Sequence, residues 1–170
     1  MMAATRHEFG QIDVLVLNAS GGLKKAQSSE YAMQLNLFAQ MSIVDAALPL
    51  IPRSGRIIFV TSHMVHFYAE RGSLGPYEPV VASKYAGEQA LLKRRPKFDK
   101  LEISLGIVNG DMIEGAITLK LLDRVDRGTI QARRTQAGAL PTVSKFDRAI
   151  ADAATNNEPP EQTIYVGITD

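Results

Sequence analysis

The sequence predicts an α/β protein with a three-layer architecture, in which helices cover both faces of an open parallel sheet. Four short runs are apolar along their whole length and are predicted to be buried strands: Ile12–Leu17, Arg56–Thr61, Glu102–Val108 and Thr163–Ile168. Strands that are apolar throughout, rather than at alternate positions, are typical of a sheet covered on both faces, as parallel sheets are. Helical patterns separate these runs, and such an alternation implies right-handed crossovers between parallel strands.

Three segments between the strands have helical patterns. Apolar side chains recur at close to helical spacing in Glu30–Leu50, and Pro52–Gly55 ends that unit. Val81–Leu92 carries alanines four residues apart, which form a narrow face that permits close packing on a neighbouring element. Lys145–Ala154 is the third predicted helix, with a loop before the last strand.

The region Asp111–Leu140 has the least regular pattern in the chain, with scattered glycines and a polar run at 131–136. It follows the third predicted strand, and ligands of open α/β sheets lie beyond the carboxyl ends of the strands. Two interpretations are open for this excursion. It is either a substrate lid or a surface loop that contains a short helix.

Composition narrows the function classes. The 170 residues are the size of one domain, and 19 basic against 18 acidic residues give a formal charge of +1 with no basic stripe, which disfavours nucleic acid as a partner. The absence of cysteine excludes disulfides, thiolate catalysis and cysteine-ligated zinc. No apolar run reaches the length of a membrane span or a signal peptide. We therefore expect a cytoplasmic protein without a membrane partner.

Polar residues follow each of the first three predicted strands. Asn18–Gly22 comes after the first, Thr61–His63 ends the second, and Asn109–Asp111 ends the third. The carboxyl ends of parallel strands meet at one edge of a sheet, so these clusters are expected to converge there. The convergence predicts a site for a small-molecule substrate.

Five motifs, in order along nearly the whole chain, resemble those of the short-chain dehydrogenase/reductase family. LNAS at 17–20 is similar to the family's Asn-Asn-Ala-Gly turn, and MQLNLFAQ places Asn36 like its helix asparagine. RIIFVTS places Ser62 like the catalytic serine, and VVASK places Lys84 like the lysine of Tyr-x-Ala-Ser-Lys. GIVNGDM is similar to the Pro-Gly turn that touches the nicotinamide. The resemblance implies that residues 1–170 form a single, partial Rossmann-like domain, the C-terminal half of the family's fold.

Two departures from the family pattern bear on activity. Val80 occupies the position of the family's catalytic tyrosine, four residues before Lys84. The chain also begins at what would be the helix before the family's fourth strand, so that the glycine-rich turn for the cofactor pyrophosphate has no counterpart in it. A chain shortened in this way would expose the first strand as an apolar edge, which predicts a homo-oligomer.

The resemblance also implies roles for individual residues. Ser62 would hold the substrate oxygen, Lys84 would bind the nicotinamide ribose, and Asn36 would support a water-linked proton path. The cofactor would be NAD or NADP, in contact with residues of the strand ends and the lysine: Asn18, Ala19, Ser20, Lys84, Asn109 and Gly110.

Tyr77 is the candidate to replace the missing catalytic tyrosine. It precedes Pro79, which suits an early helix position and disfavours helical backbone at Glu78, so Tyr77 is expected in a loop. On the same helix, seven residues would separate Tyr77 from Lys84 by roughly 10 Å at about 1.5 Å per residue.

His63 and His66 directly follow Ser62, and either could act as an acid or base near neutral pH. No third ligand with recognisable spacing accompanies them, so no metal site is predicted. Three functions stay open: an NAD(P)-dependent oxidoreductase acting on a carbonyl or alcohol, a non-catalytic binding or assembly module, and a non-redox cyclase or isomerase that uses His63 or Tyr77.

Overall fold

A computed structural model describes residues 2–21, 28–72, 77–117, 119–120, 124, 127–156 and 163–169. Four parallel strands form one sheet in the order β1-β2-β3-β4. Their bounds are β1 Val14–Leu17, β2 Arg56–Ser62, β3 Ser104–Gly110 and β4 Thr163–Val166. The predicted α/β class, the parallel sheet and the existence of all four strands are confirmed.

Helices precede, connect and flank these strands. They are α1 Met2–Phe9, α2 Ser29–Met33, α3 Ala39–Ala47, α4 His63–His66, α5 Tyr68–Arg71, α6 Glu78–Lys100, α7 Arg127–Ala137 and α8 Val143–Thr155. A π-helical turn, Gln34–Phe38, joins α2 to α3, and a 3₁₀ turn, Leu48–Leu50, ends that unit. The predicted helix Glu30–Leu50 is therefore one helical unit with a π turn inside it.

Each predicted strand or helix differs from the structure mainly at its ends. The third predicted strand began too early, because Glu102 has a φ of 57° and lies in the turn before β3. The fourth was predicted too long, because Gly167 has a φ of 113° and ends β4 at Val166. The second predicted helix was too short, since α6 starts at Glu78, takes Pro79 in its first turn and continues through Pro96.

The excursion between β3 and β4 contains an eleven-residue helix, α7, whose Ile130 is buried. The choice between the two interpretations of this region, a substrate lid and a surface loop that contains a short helix, stays a prediction. Residues 118, 121–123, 125–126 and 157–162 lie outside the described part of the chain, as do residues 22–27, which include the end of the first polar cluster.

Apolar side chains cover both faces of the sheet, as predicted from strands that are apolar along their whole length. Ile57 and Phe59 of β2 belong to the cluster on the α3 and α6 side, whereas Ile58 and Val60 belong to the cluster on the α8 side. Successive residues of a strand point to opposite faces, so Thr61 shares the α6 face with Phe59. Within the described ranges, no helix is long and apolar enough to cross a membrane.

Candidate functional site

Lys84 lies on α6 against the carboxyl end of β2. Its Nζ donates a hydrogen bond to the backbone oxygen of Val60 at 3.2 Å and lies 5.9 Å from the centre of the Phe59 ring. Burial lowers the pKa of Lys84 to about 8, against the opposing effect of the nearby Glu88 carboxylate. Ser62, the last residue of β2, comes two residues after the carbonyl that Lys84 binds. The structure therefore places the two predicted side chains at the same strand end.

Asn36 fixes α6 to the segment that follows β1. It lies in the π turn and is completely buried. Its Nδ2 donates to Gly21 O at 3.0 Å and to Ser83 Oγ at 2.9 Å, while its Oδ1 accepts from Gly21 N at 3.0 Å. Because Ser83 precedes Lys84, this side-chain amide holds the lysine's helix in register with the end of β1.

The three hydrogen bonds of the Asn36 side chain, which we call the Asn36 clamp, are accompanied by close packing between the backbones of α6 and the π turn. A Cβ atom on Gly87 would lie 2.6 Å from the backbone oxygen of Asn36, so only glycine allows α6 to approach the π turn this closely. Gly87 directly follows Ala86 and lies about 100° around the helix from the predicted alanine face, so the close approach is made beside that face and against backbone.

The predicted cofactor residues after β1 are accessible. Asn18, Ala19 and Ser20 are all exposed, and the backbone oxygen of Ala19 accepts a hydrogen bond from Gln40 Nε2 at 2.8 Å. Gln40 is a buried residue of α3, so the segment is anchored through its backbone. Its side chains and remaining backbone groups can face a ligand.

Asn109 and Gly110 lie inside β3, not in a turn after it. Asn109 is completely buried, and neither amide atom of its side chain has a hydrogen-bond partner in the described residues. Gly110 faces α8, where a Cβ atom would lie 2.7 Å from the Phe146 ring. The predicted contact of these two residues with a cofactor stays a prediction.

Val80 occupies the position that corresponds to the family's catalytic tyrosine, and Tyr77 is the predicted replacement. Val80 is buried one helical turn before Lys84 and brings no titratable group there. The expectation of non-helical backbone at Glu78 is wrong, because α6 starts at Glu78, and Tyr77 before it also has helical backbone and makes no side-chain capping bond. Tyr77 packs in an apolar cluster with Val65, Val81, Leu119, Ile130 and Leu140. Burial raises the pKa of Tyr77. The structure does not bring Tyr77 together with Lys84, which binds Val60.

Sequence reasoning missed two residues that meet His66. Its Nδ1 lies 2.6 Å from Oε1 of Glu88 on α6, and its Nε2 lies 3.0 Å from the hydroxyl of Tyr165 on β4. The signal for Glu88 was its position one helical turn after Lys84, on the same helix face. No local signal identified Tyr165, which is distant from both in sequence.

His63 belongs to a neighbouring charged cluster. Its Nδ1 lies 3.6 Å from Asp111 Oδ1, beyond hydrogen-bond distance, and Arg133 Nε donates to both carboxylate oxygens of Asp111 at 2.9 and 3.0 Å. Burial acts to raise the pKa of Asp111, but His63, Arg133 and the backbone of Met112 together lower it. Among the residues with described positions, no three His, Asp or Glu side chains are grouped so that they could hold a metal ion.

Comparison with known proteins adds to this geometry. A sequence profile described as short chain dehydrogenase matches residues 1–118. A search of curated protein sequences found no match.

Three solved structures share the fold. An angucycline C-6 ketoreductase, LanV, with bound NADP is 20% identical over 96% of this chain, with a TM-score of 0.69. A short-chain dehydrogenase/reductase of unknown function from Caenorhabditis elegans, solved with its cofactor, is 22% identical over 97%, with a TM-score of 0.74. An NADH-dependent reductase responsible for alginate metabolism, A1-R′, is 21% identical over 97%, with a TM-score of 0.72.

The chain spans 65% of the length of the first of these structures and 67% of the other two. The profile covers well over half of the chain, and all five motifs of the resemblance fall inside its range, together with Asn36 and its hydrogen-bond partners. The chain belongs to the short chain dehydrogenase family.

Proposed function

We propose that the chain carries the nicotinamide end of an oxidoreductase site that acts on a small carbonyl or alcohol compound. The observation that supports this most is Lys84, whose buried ammonium is fixed on Val60 O at the strand end that carries Ser62. A nicotinamide dinucleotide, when bound, supplies or accepts the hydride. The chain's own residues would bind the cofactor and orient the substrate oxygen.

The donors around Lys84 suit the ribose of such a cofactor. An ammonium group has three N–H donors, and Val60 O takes one of them within the described part of the chain. The exposed segment Asn18–Ser20 is tied to the lysine's helix through Gly21, Asn36 and Ser83. These residues would hold the nicotinamide riboside, with Ser62 Oγ as the donor to the substrate oxygen.

We propose that the cofactor is NAD or NADP, without a choice between the two. The LanV structure holds NADP, whereas A1-R′ is described as NADH-dependent. The choice between them depends on contacts with the adenosine ribose, and none of the residues of the candidate site is proposed to make them.

A second candidate function is favoured by Val80. A buried valine at the family's tyrosine position removes the usual proton donor, which suits a protein that binds the same ligands without turnover. Tyr77, buried in its apolar cluster, would not compensate. Nucleotide binding without reduction of any carbonyl compound would support this binding module over the oxidoreductase.

The proposed nucleotide contact is tested with reduced nicotinamide mononucleotide, which contains the nicotinamide riboside but no adenosine half. We expect saturation-transfer NMR signals from this probe with the wild-type chain and their loss in Lys84→Met. Lys93→Met is the matched control, because Lys93 is an exposed lysine of the same helix. Equal signals from Lys84→Met and the wild type would contradict the proposal.

Turnover is tested separately with NADH or NADPH and a panel of ketones and aldehydes. We expect slow oxidation of the nucleotide that depends on the carbonyl compound and is lost in Ser62→Ala. A rate that is the same with and without carbonyl compounds would remove the oxidoreductase and leave the binding module.

We also propose that the chain forms a homo-oligomer through the β1 edge. In the described part of the sheet, β1 pairs only with β2, and Val16 is 41% exposed. A monodisperse monomer in light scattering would contradict this.

A further inference from the structure

Glu88, His66 and Tyr165 form a line of hydrogen bonds that runs from the core to the surface. Glu88 on α6 is 1% exposed, the His66 side chain on α4 is 18% exposed, and Tyr165 on β4 is 43% exposed. Oε1 of Glu88 lies 2.6 Å from Nδ1 of His66, and Nε2 of His66 lies 3.0 Å from the Tyr165 hydroxyl. Three different elements therefore bring a carboxylate, an imidazole and a phenol into hydrogen-bond contact.

The Glu88 carboxylate, as the acceptor at one end of this line, determines which atoms of His66 and Tyr165 carry protons. An ionised carboxylate can only accept, so Nδ1 of His66 carries the proton that Glu88 binds. A neutral imidazole with a proton on Nδ1 presents a lone pair at Nε2. The Tyr165 hydroxyl then donates to Nε2, which makes His66 a base positioned on this phenol.

The charges around His66 support a transfer of the phenolic proton to it. Oε2 of Glu88 is buried and has no hydrogen-bond partner within the described ranges, so Glu88 gains most from a positive charge on the imidazole it already binds. Other charged groups of the described residues in this region include Lys84, one turn before Glu88, Arg71 stacked 4.5 Å over the Phe67 ring, and the Asp111–Arg133 pair beside His63.

Tyr165 is placed beside the candidate site. In the sheet, Tyr165 pairs with Asn109, and Asn109 pairs with Thr61. These three residues therefore form one row across the sheet, on the face that α6 covers. The Tyr165 ring lies 6.1 Å from the ring of His63, the residue directly after Ser62, and stacks on Phe67 with 6.2 Å between centroids and an angle of 11°. The phenol is therefore held in place and remains accessible to a ligand.

We propose that Tyr165, His66 and Glu88 form an acid–base triad that moves the proton of the substrate's hydroxyl or carbonyl oxygen, in the role that Val80 cannot fill. When a substrate hydroxyl gives its proton to the Tyr165 oxygen, the Tyr165 O–H bond breaks and its proton passes to Nε2 of His66. The reverse transfer delivers a proton to a carbonyl oxygen. The role toward substrate rests on the proposed oxidoreductase function, whereas the triad itself can be tested without cofactor or substrate.

The first test uses an aryl sulfonyl fluoride and peptide mapping by mass spectrometry. In this reaction the phenol oxygen forms a bond to sulfur, the S–F bond breaks, fluoride leaves, and the phenolic proton goes to Nε2. Tyr31 is an internal control, because it is 44% exposed against 43% for Tyr165. A positioned base contributes at least about 100-fold, so we expect Tyr165 to be labelled about 100 times faster than Tyr31.

Two substitutions test the chain of contacts. Glu88→Gln keeps the size of the side chain and removes the carboxylate, and His66→Asn removes the base. Each is expected to reduce the labelling of Tyr165 to the rate of Tyr31 and to leave Tyr31 itself unaffected. Equal rates at the two tyrosines in the wild type, or a Tyr165 rate that neither substitution changes, would overturn the triad.

A second measurement needs no variant. Nitrogen-15 NMR of the wild-type chain is expected to show that the neutral imidazole form of His66 carries its proton on Nδ1. A proton on Nε2 would reverse the hydrogen bond to Tyr165 and overturn the proposal.

Turnover then separates the triad from the function on which it rests. Tyr165→Phe is expected to lower kcat by about 100-fold without a change in nucleotide affinity, with Tyr31→Phe as the matched control. An unchanged kcat in Tyr165→Phe would overturn the triad's role toward substrate. Absence of turnover in the wild type would instead overturn the oxidoreductase function, while labelling and NMR still decide whether the triad exists.

Discussion

Asn36 and Asn109 are two completely buried asparagines whose side-chain amides have opposite surroundings. The amide of Asn36 makes three hydrogen bonds, two to Gly21 and one to Ser83. The amide of Asn109 has no partner for either of its polar atoms in the part of the chain that the structure describes. The amide of Asn36 connects the elements that surround the site, which we call the frame. The amide of Asn109 has donor and acceptor atoms that no described residue of the frame binds.

The same difference extends to the neighbours of each asparagine. Ser83, beside Asn36, both accepts from that amide and donates to Val80 O at 3.0 Å. Thr61 Oγ1, beside Asn109 in the sheet, and both ring nitrogens of His63 after β2 lack hydrogen bonds within the described residues. Buried polar groups are nearly always paired in native proteins. Of the eight unpaired side-chain atoms of this kind in the described residues, five belong to Thr61, His63 and Asn109 at the carboxyl ends of β2 and β3, where the ligand site is proposed, and the other three belong to Gln40, Glu88 and Ser104.

Removal of the Asn36 amide is expected to have the largest effect. Asn36→Leu loses three hydrogen bonds and leaves the backbone N–H and C=O of Gly21 without their partner, so we expect a loss of about 3 kcal/mol in the free energy of unfolding. Urea denaturation monitored by circular dichroism measures this. A loss below about 1 kcal/mol would show that Asn36 is not a clamp and would break the contrast with Asn109.

Gly87→Ala tests the backbone side of the same clamp. At an ordinary interior helix position this substitution stabilises by about 1 kcal/mol. Here the new Cβ would lie 2.6 Å from Asn36 O, a backbone atom that cannot rotate away, so we expect a destabilisation of about 2 kcal/mol instead. The sign of the change in urea midpoint decides the question, because a stabilised variant would mean that α6 does not pack on the π turn.

The frame could be predicted from the sequence to a large extent, because it depends on patterns that are local. Four apolar runs gave four strands in one parallel sheet, and Lys84 and Ser62 do lie at one strand end. The ends of the elements were less predictable, since they depend on single backbone conformations such as the positive φ of Glu102 and Gly167. No propensity scale specifies that a non-glycine residue such as Glu102 will adopt that conformation.

The candidate site was predicted only in part, because its hydrogen bonds join residues that are distant in sequence. Asn36 and Ser83 are 47 residues apart, and His66 and Tyr165 are 99 residues apart. Motif order could indicate Asn36, but its side-chain partners and the pairing of Tyr165 with Asn109 depend on sheet register. The burial of Tyr77 also depends on tertiary packing, since its apolar neighbours come from α4, α6 and the excursion after β3.

The pH dependence of stability tests whether the ammonium of Lys84 is as buried as its contacts indicate. The folded chain releases this proton near pH 8, whereas the unfolded chain holds it up to the ordinary value of 10.5. Between these values the unfolded state binds more protons, so the free energy of unfolding rises with pH relative to that of Lys84→Met. We expect a relative rise of about 1 to 2 kcal/mol between pH 8 and pH 10.5, allowing for partial exposure of the side chain.

Urea titrations of the wild type and Lys84→Met at both pH values measure this difference, and groups common to the two proteins cancel. Parallel pH profiles would show that Lys84 titrates as an exposed lysine does, and the proposal that it holds a nucleotide ribose in a desolvated position would lose its main support.

Asn109→Leu is expected to change the free energy of unfolding least, and not to lower it as Asn36→Leu does. The substitution removes no hydrogen bond within the described residues and replaces two unpaired polar atoms in a fully buried position by an apolar side chain of similar size. Replacement of an unsatisfied buried amide is neutral or stabilises by about 1 kcal/mol. Binding of the nicotinamide probe is expected to fall in the same variant, because the unpaired amide of Asn109 is proposed to contact the ligand. A destabilisation comparable to that of Asn36→Leu would mean that Asn109 also belongs to the frame, and its assignment to the site would be withdrawn.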